Sequence, residues 1–156
     1  AVERLYALKG RAADRRLLAL VPDARTAAAL AAVPLPAFAA RLWPGPLTLA
    51  FPVAGSHPLG WETQAVRVPA SPWLAALLEA VGEPLYAPSA NPQGLAPART
   101  PEEGRAWFGE AVGLYIGGGQ NPANALPSTL VTWTDGGWRL LRQGAIPVEQ
   151  LQDDLL

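Results

Sequence analysis

The 156-residue chain has no cysteine, no methionine, one histidine and one lysine. Without cysteine there is no disulfide, no thiolate nucleophile and no cysteine-based metal site. A single histidine, His57, argues further against a transition-metal centre. It sits among Gly, Ser and Pro with no Ser-His-Asp pattern around it, so it is expected on a surface loop. No run approaches the roughly eighteen apolar residues that a membrane span needs. The opening "AVERLYALKG" reads as an amphipathic helix, not as a basic stub before an apolar block. No signal peptide or membrane partner is therefore expected, and a cytoplasmic location is. The net charge of −1 gives no general attraction to nucleic acid, so any anion site must be a local cluster of arginines.

What is present suits a globular domain. Half of the residues are apolar and 16 % are charged, enough to bury a core in a single domain over residues 1–156. Eleven arginines stand against the one lysine, Lys9. Compositional drift accounts for the arginines but not for which position stays lysine. "VERLYALK" predicts a helix stopped by Gly10, and "LLALVP" a short buried strand. "DARTAAALAAV" predicts a helix capped by Asp23, and "PLPAFAARLW" a second one. "LTLAFP" and "QAVRVP" read as strands, the first of them alternating. "SPWLAALLEAV" has Ser71 as cap, Pro72 at the first helical position and Gly82 as stop. "PLYAP" is a further strand, followed by the polar loop "SANPQGLAPART" and a helix in "TPEEGRAWFG". "GLYIGGG" reads as a strand, "STLVTWTDGGWRLLRQG" as a hairpin turning at residues 135–137, and "PVEQLQDDLL" as a closing helix. Strands and helices intermix without strict alternation, which predicts an α/β or α+β sheet with helices on its faces.

Four places carry polar groups that a core does not need. Lys9-Gly10-Arg11, with Arg15 and Arg16 behind it, is either a cationic claw for phosphate or carboxylate, or cations suited to a helix C-terminus. Ser89 and Asn91 follow a strand end at spacing i, i+2, where open sheets bind ligands; an ordinary Asx or Ser turn is the alternative. Arg67, inside a strand of valines, either lies on a solvated face or emerges into a cleft to bind an anion. Ser128-Thr129 and Arg142-Gln143-Gly144 open and close the predicted hairpin, so they lie side by side. Trp43 beside "PGP" is expected to pack beneath a turn. Glu102 and Glu103 read as helix-start carboxylates rather than an acid/base pair.

In order, "AVERLYALKGR", "LWPGPLTLAF", "AVRVP", "APSANPQG", "PSTLV" and "LLRQGAI" resemble the YrdC-like family of threonylcarbamoyl-AMP synthases over residues 1 to about 147. K-x-R and S-x-N are that family's paired hallmark. The resemblance implies a twisted mixed β-sheet with helices on its faces and a concave basic site. It implies condensation of L-threonine, bicarbonate and ATP to threonylcarbamoyl-adenylate and pyrophosphate, with Mg²⁺ and without a covalent catalytic nucleophile. The product serves tRNA modification, with tRNA-modifying enzymes as partners. Carried over motif by motif, Lys9, Arg11, Arg15, Thr63, Asn91, Arg99 and Arg142 would meet ATP. Arg67, Ser89 and Ser128 would meet threonine, and no metal ligand is implied among the residues.

The sequence departs from the family pattern twice. The family's P-T-x-T-x-Y-G-L segment, some thirty to forty residues before K-x-R, is missing here, so the domain is expected to lack that N-terminal strand. Where the family strand after K-x-R often offers a histidine to threonine, this chain has Leu20. A second reading is therefore kept: a non-catalytic YrdC-like module binding double-stranded RNA or nucleotide. The near-neutral charge weighs against RNA, because such affinity rests on phosphate contacts.

Overall fold

Three helices of this chain start at a side chain that accepts from a free backbone N–H group. Asp23 accepts from Thr26 N at 2.7 Å, Ser71 from Leu74 N at 3.4 Å and Thr100 from Glu103 N at 3.2 Å. Each fills a donor that the helix itself leaves open. The computed structural model describes residues 1–12, 15–117 and 124–156. Its helices are α1 (Val2–Lys9), α2 (Ala24–Leu30), α3 (Ala37–Leu42), α4 (Pro72–Val81) and α5 (Pro101–Phe108). Its strands are β1 (Leu18–Leu20), β2 (Leu47–Pro52), β3 (Thr63–Arg67), β4 (Leu85–Tyr86), β5 (Thr129–Thr134) and β6 (Gly137–Arg142). Among the described residues no helix is long and apolar enough to cross a membrane.

The chain forms two compact units, one of Ala1–Arg16 with Pro88–Ala125 and one of Leu17–Ala87 with Leu126–Leu156. The larger holds the whole sheet, in the order β4-β1-β3-β2-β5-β6. The pairs β1–β3 and β2–β5 are parallel, and β1–β4, β2–β3 and β5–β6 are antiparallel. This is a mixed α/β sheet, as expected. Ala27 of α2 and Phe38 and Ala39 of α3 pack with Leu49, Val66 and Val131 of the three central strands in one core. Strand β2 does not alternate: Leu47, Thr48 and Leu49 are all buried. It lies between β3 and β5, so neither edge is free, and the consecutive buried residues show that both of its faces are covered.

The smaller unit joins α1 and α5, with Arg4 Nη2 donating to the Ala111 carbonyl. Tyr115 also packs within this unit. Its hydroxyl donates to Gly109 O at 2.8 Å, and the Arg105 guanidinium lies 4.7 Å from its ring centre.

Three expectations need correction. Residues 113–117 form a bend and irregular chain, not a strand; Gly118 and Gly119 lie outside the described residues. The closing segment is two short 3₁₀ turns, Val148–Gln150 and Gln152–Asp154, not a helix. Buried Leu151 and the Leu156 N–H bond to Trp138 O tie this segment to the sheet at intervals that an α-helix does not match. His57 is half-buried rather than a free surface residue: its ring stacks on Trp61 at 5.0 Å, and its Nδ1 accepts from Leu59 N.

Candidate functional site

In the smaller unit, α1 ends at Gly10 with φ 60°, and the Gly10 and Arg11 N–H groups bond back to Ala7 O and Tyr6 O. That left-handed stop, which glycine adopts without a Cβ penalty, turns the chain sharply after Lys9. Lys9 is only 6 % exposed. Its ammonium donates to Ser89 O, to Asn91 O at 2.6 Å and to Asn91 Oδ1 at 3.1 Å, while its own carbonyl accepts from Gln93 N at 2.7 Å. The lone lysine therefore pins the Ser-x-Asn loop instead of reaching out from the helix end. Burial, and secondarily the Arg11 charge, lower its pKa below the ordinary 10.5.

Ser89 Oγ donates to Asn91 Oδ1 at 2.6 Å, and Asn91 Nδ2 donates to Leu95 O at 2.6 Å. The Asn91 N–H also bonds to Ser89 O at 3.0 Å. The two side chains do share a side, but through a tight turn and not through extended backbone. Arg11 Nη2 donates to Arg16 O at 3.0 Å, and its buried Nε meets no hydrogen-bond partner among the described residues. Arg15 is exposed, and its carbonyl accepts from the Tyr6 hydroxyl at 2.9 Å. The Arg99 N–H donates to Glu103 Oε2 at 2.7 Å, fixing Arg99 just ahead of α5. This reciprocates the Thr100 cap, so Glu103 is a helix-start carboxylate as expected.

In the larger unit, Arg67 ends β3, and its Nε donates to Gly45 O at 2.9 Å. The PGP turn exists in part to present that carbonyl. Gly45 N bonds to Val68 O, and a Cβ at Gly45 would lie 2.3 Å from Leu42 O. Trp43 is buried under the turn with its Nε1 on Leu47 O at 2.8 Å. Leu20 stands opposite Arg67 in the β1–β3 register, so the arginine has an apolar neighbour on β1. Desolvation lowers the Arg67 pKa. Among the described residues no carboxylate pairs with it. Thr63 begins the same strand and shares a face with Arg67, about 13 Å away at roughly 3.3 Å per residue.

The hairpin ends do meet. Leu130 pairs with Arg142, and Arg142 Nη2 donates to Ser128 O at 3.0 Å. Ser128 Oγ lies 2.8 Å from Thr48 Oγ1 of β2. The fully buried Thr129 hydroxyl donates to Ile146 O and accepts from the N–H groups of Gly144 and Ile146. Thr48 and the Gly45 carbonyl were not anticipated from the sequence; Thr129 was, as half of the Ser128-Thr129 pair, but not as a buried tie to Gly144 and Ile146. A threonine among apolar strand residues and the glycines of "PGP" and "RQG" were the only signals.

The structure thus defines a class first: a mixed α/β sheet protein whose smaller unit carries a lysine-pinned Ser-x-Asn loop and whose larger unit carries a strand-end arginine and a Ser/Arg hairpin mouth. The family model Sua5/YciO/YrdC, described as "Telomere recombination", matches residues 1–144, and the chain belongs to that family. It is 40 % identical to the threonylcarbamoyl-AMP synthase of Halorhodospira halophila over 76 % of this chain and 65 % of that protein. It is 34 % identical to that of Pyrococcus abyssi over 97 % of this chain and 46 % of that protein. The chain spans about half to two thirds of the length of these relatives. A crystal structure of P. abyssi Sua5 complexed with L-threonine superimposes with a TM-score of 0.85 at 32 % identity, covering 97 % of this chain and 46 % of that one. Escherichia coli YciO gives 0.79 at 25 % identity, covering 96 % and 76 %.

Proposed function

We propose that this chain works as one YrdC-like domain that makes threonylcarbamoyl-adenylate from L-threonine, bicarbonate and ATP, in the cytoplasm, for threonylcarbamoyl-adenosine modification of tRNA. The threonine amine attacks the carbonyl carbon of bicarbonate, and water leaves to give a carbamate. A carbamate oxygen then attacks the α-phosphorus, the bond to the β-phosphate oxygen breaks, and pyrophosphate departs. Such in-line displacement needs positioning and charge stabilisation, not a nucleophilic side chain. Mg²⁺ enters on the phosphates as part of the nucleotide substrate.

The observation that carries this reading is Arg67. It is a half-buried guanidinium whose bond to the protein goes through Nε to a neutral carbonyl. Its two terminal nitrogens suit the parallel oxygens of the threonine carboxylate or carbamate. Ser128 and Ser89 supply the remaining amino-acid contacts. Lys9, Arg11, Arg15, Thr63, Asn91, Arg99 and Arg142 serve the nucleotide. For Lys9 to meet a phosphate it must exchange one neutral acceptor for an anionic one, a swap that favours its charged form. The P. abyssi protein, crystallised with L-threonine, supports threonine as the amino acid.

The test is pyrophosphate release with ATP, Mg²⁺ and bicarbonate, with and without L-threonine. Release that depends on threonine is expected. Release indifferent to threonine, together with salt-sensitive binding of duplex RNA, overturns the reading in favour of a non-catalytic RNA-binding module.

A further inference from the structure

Thr48 is the second residue of β2, a strand that is otherwise apolar, and is 4 % exposed. A buried hydroxyl must donate its proton or lose free energy. The hydrogen bond of Thr48 runs to Ser128 Oγ at 2.8 Å, and no other acceptor meets it among the described residues. Ser128 is half-buried at the start of β5, one residue before Thr129 locks the strand to Gly144 and Ile146. Its carbonyl accepts from Arg142 Nη2, which ties its backbone to the end of β6.

We infer that Thr48 is a positioning residue for the amino-acid substrate: it donates to Ser128 Oγ and thereby leaves the Ser128 proton free for an acceptor oxygen of the guest. The inference rests on the assignment of Ser128 to threonine and adds the direction of that contact. With Thr48 donating, the Ser128 proton is free to be given to the carboxylate or hydroxyl oxygen of threonine. The strand geometry supports this arrangement. Thr48 pairs in register with Leu130, two residues beyond Ser128, so the parallel β2–β5 ladder itself holds the two hydroxyls together. The role needs the hydroxyl alone, because the methyl group of Thr48 only fills the buried strand position.

The experiment is calorimetric titration of L-threonine into the wild-type chain, Thr48→Val, Thr48→Ser, Ser128→Ala and the Thr48→Val/Ser128→Ala double variant, with thermal melts of each. Valine keeps the shape and removes the donor. Thr48→Val is expected to raise the threonine Kd about tenfold, the scale of one lost hydrogen bond, and to leave the melt and the ATP Kd unchanged. Thr48→Ser should restore wild-type affinity. The double variant should bind no worse than Ser128→Ala alone, because Thr48 acts through that serine. Additive losses in the double variant, or a threonine Kd in Thr48→Val equal to wild type while Ser128→Ala weakens binding, overturn the positioning role alone. If the wild type binds no threonine, or Ser128→Ala binds it normally, the assignment of Ser128 fails and the inference fails with it.

Discussion

A single lysine in an arginine-rich chain has a physical explanation at the residue scale. Lys9 must place three donors on three oxygens gathered within one turn of the Ser89–Asn91 loop. A compact ammonium does this; the planar fork of arginine aims its N–H groups in fixed, diverging directions and is bulkier. Replacing Lys9 with Met keeps the stem but strands two backbone carbonyls, so a loss of about 1–3 kcal/mol is expected in urea unfolding at neutral pH. The pH dependence has a definite sign. Lys9 titrates below 10.5 when folded, so between the folded value and 10.5 the unfolded chain binds a proton that the native protein has released. Stability contributed by this group therefore rises with pH in that window. The gap between wild type and Lys9→Met should widen as pH climbs towards 10.5 and stay flat at lower pH. A gap that narrows over that range would contradict the burial argument.

At the scale of elements, the hairpin mouth is held by backbone proximity. A Cβ at Gly144 would lie 2.2 Å from Pro127 O and 2.6 Å from Ser128 C, both backbone atoms that can yield only by moving the segment. Gly144→Ala is expected to cost about 1–3 kcal/mol by overpacking and to weaken threonine binding by displacing Ser128. Gly113→Ala, with nothing within 4 Å of the added carbon, is the control and should change neither quantity in melts and titrations.

These elements also show what could be read in advance. Ser71-Pro72 with Gly82, and Thr100-Pro101, were legible because caps and stops act within one turn. Asp135-Gly136 was legible because both residues take positive φ, 51° and 83°, as a two-residue hairpin turn demands; Gly137 already belongs to β6. The apolar "GLYI" was misleading, since a strand needs a partner that no local pattern announces. The last ten residues are too short to sustain a helix on propensity alone, and distant contacts to Trp138 decided their shape. The same division holds for the candidate site. Arg67, Ser89, Asn91, Ser128 and Arg142 stood out as polar groups at strand and hairpin ends. Thr48 and the pinning role of Lys9 depend on contacts 80 or more residues apart, which spacing does not encode.

At the scale of the whole molecule, a net charge of −1 spread over 12 cations and 13 acids gives no broad field for polyanions. On the proposed function, small anions are bound by placed groups: an arginine fixed by the PGP turn in one unit and a lysine-pinned loop in the other. The measurement that tests this most directly is transfer of radiolabelled bicarbonate into product by the purified chain with ATP and Mg²⁺. The account predicts label in a compound containing both adenosine and threonine, formed only when threonine is present and lost in Arg67→Ala. Label absent with all substrates supplied, or undiminished in Arg67→Ala, would contradict it.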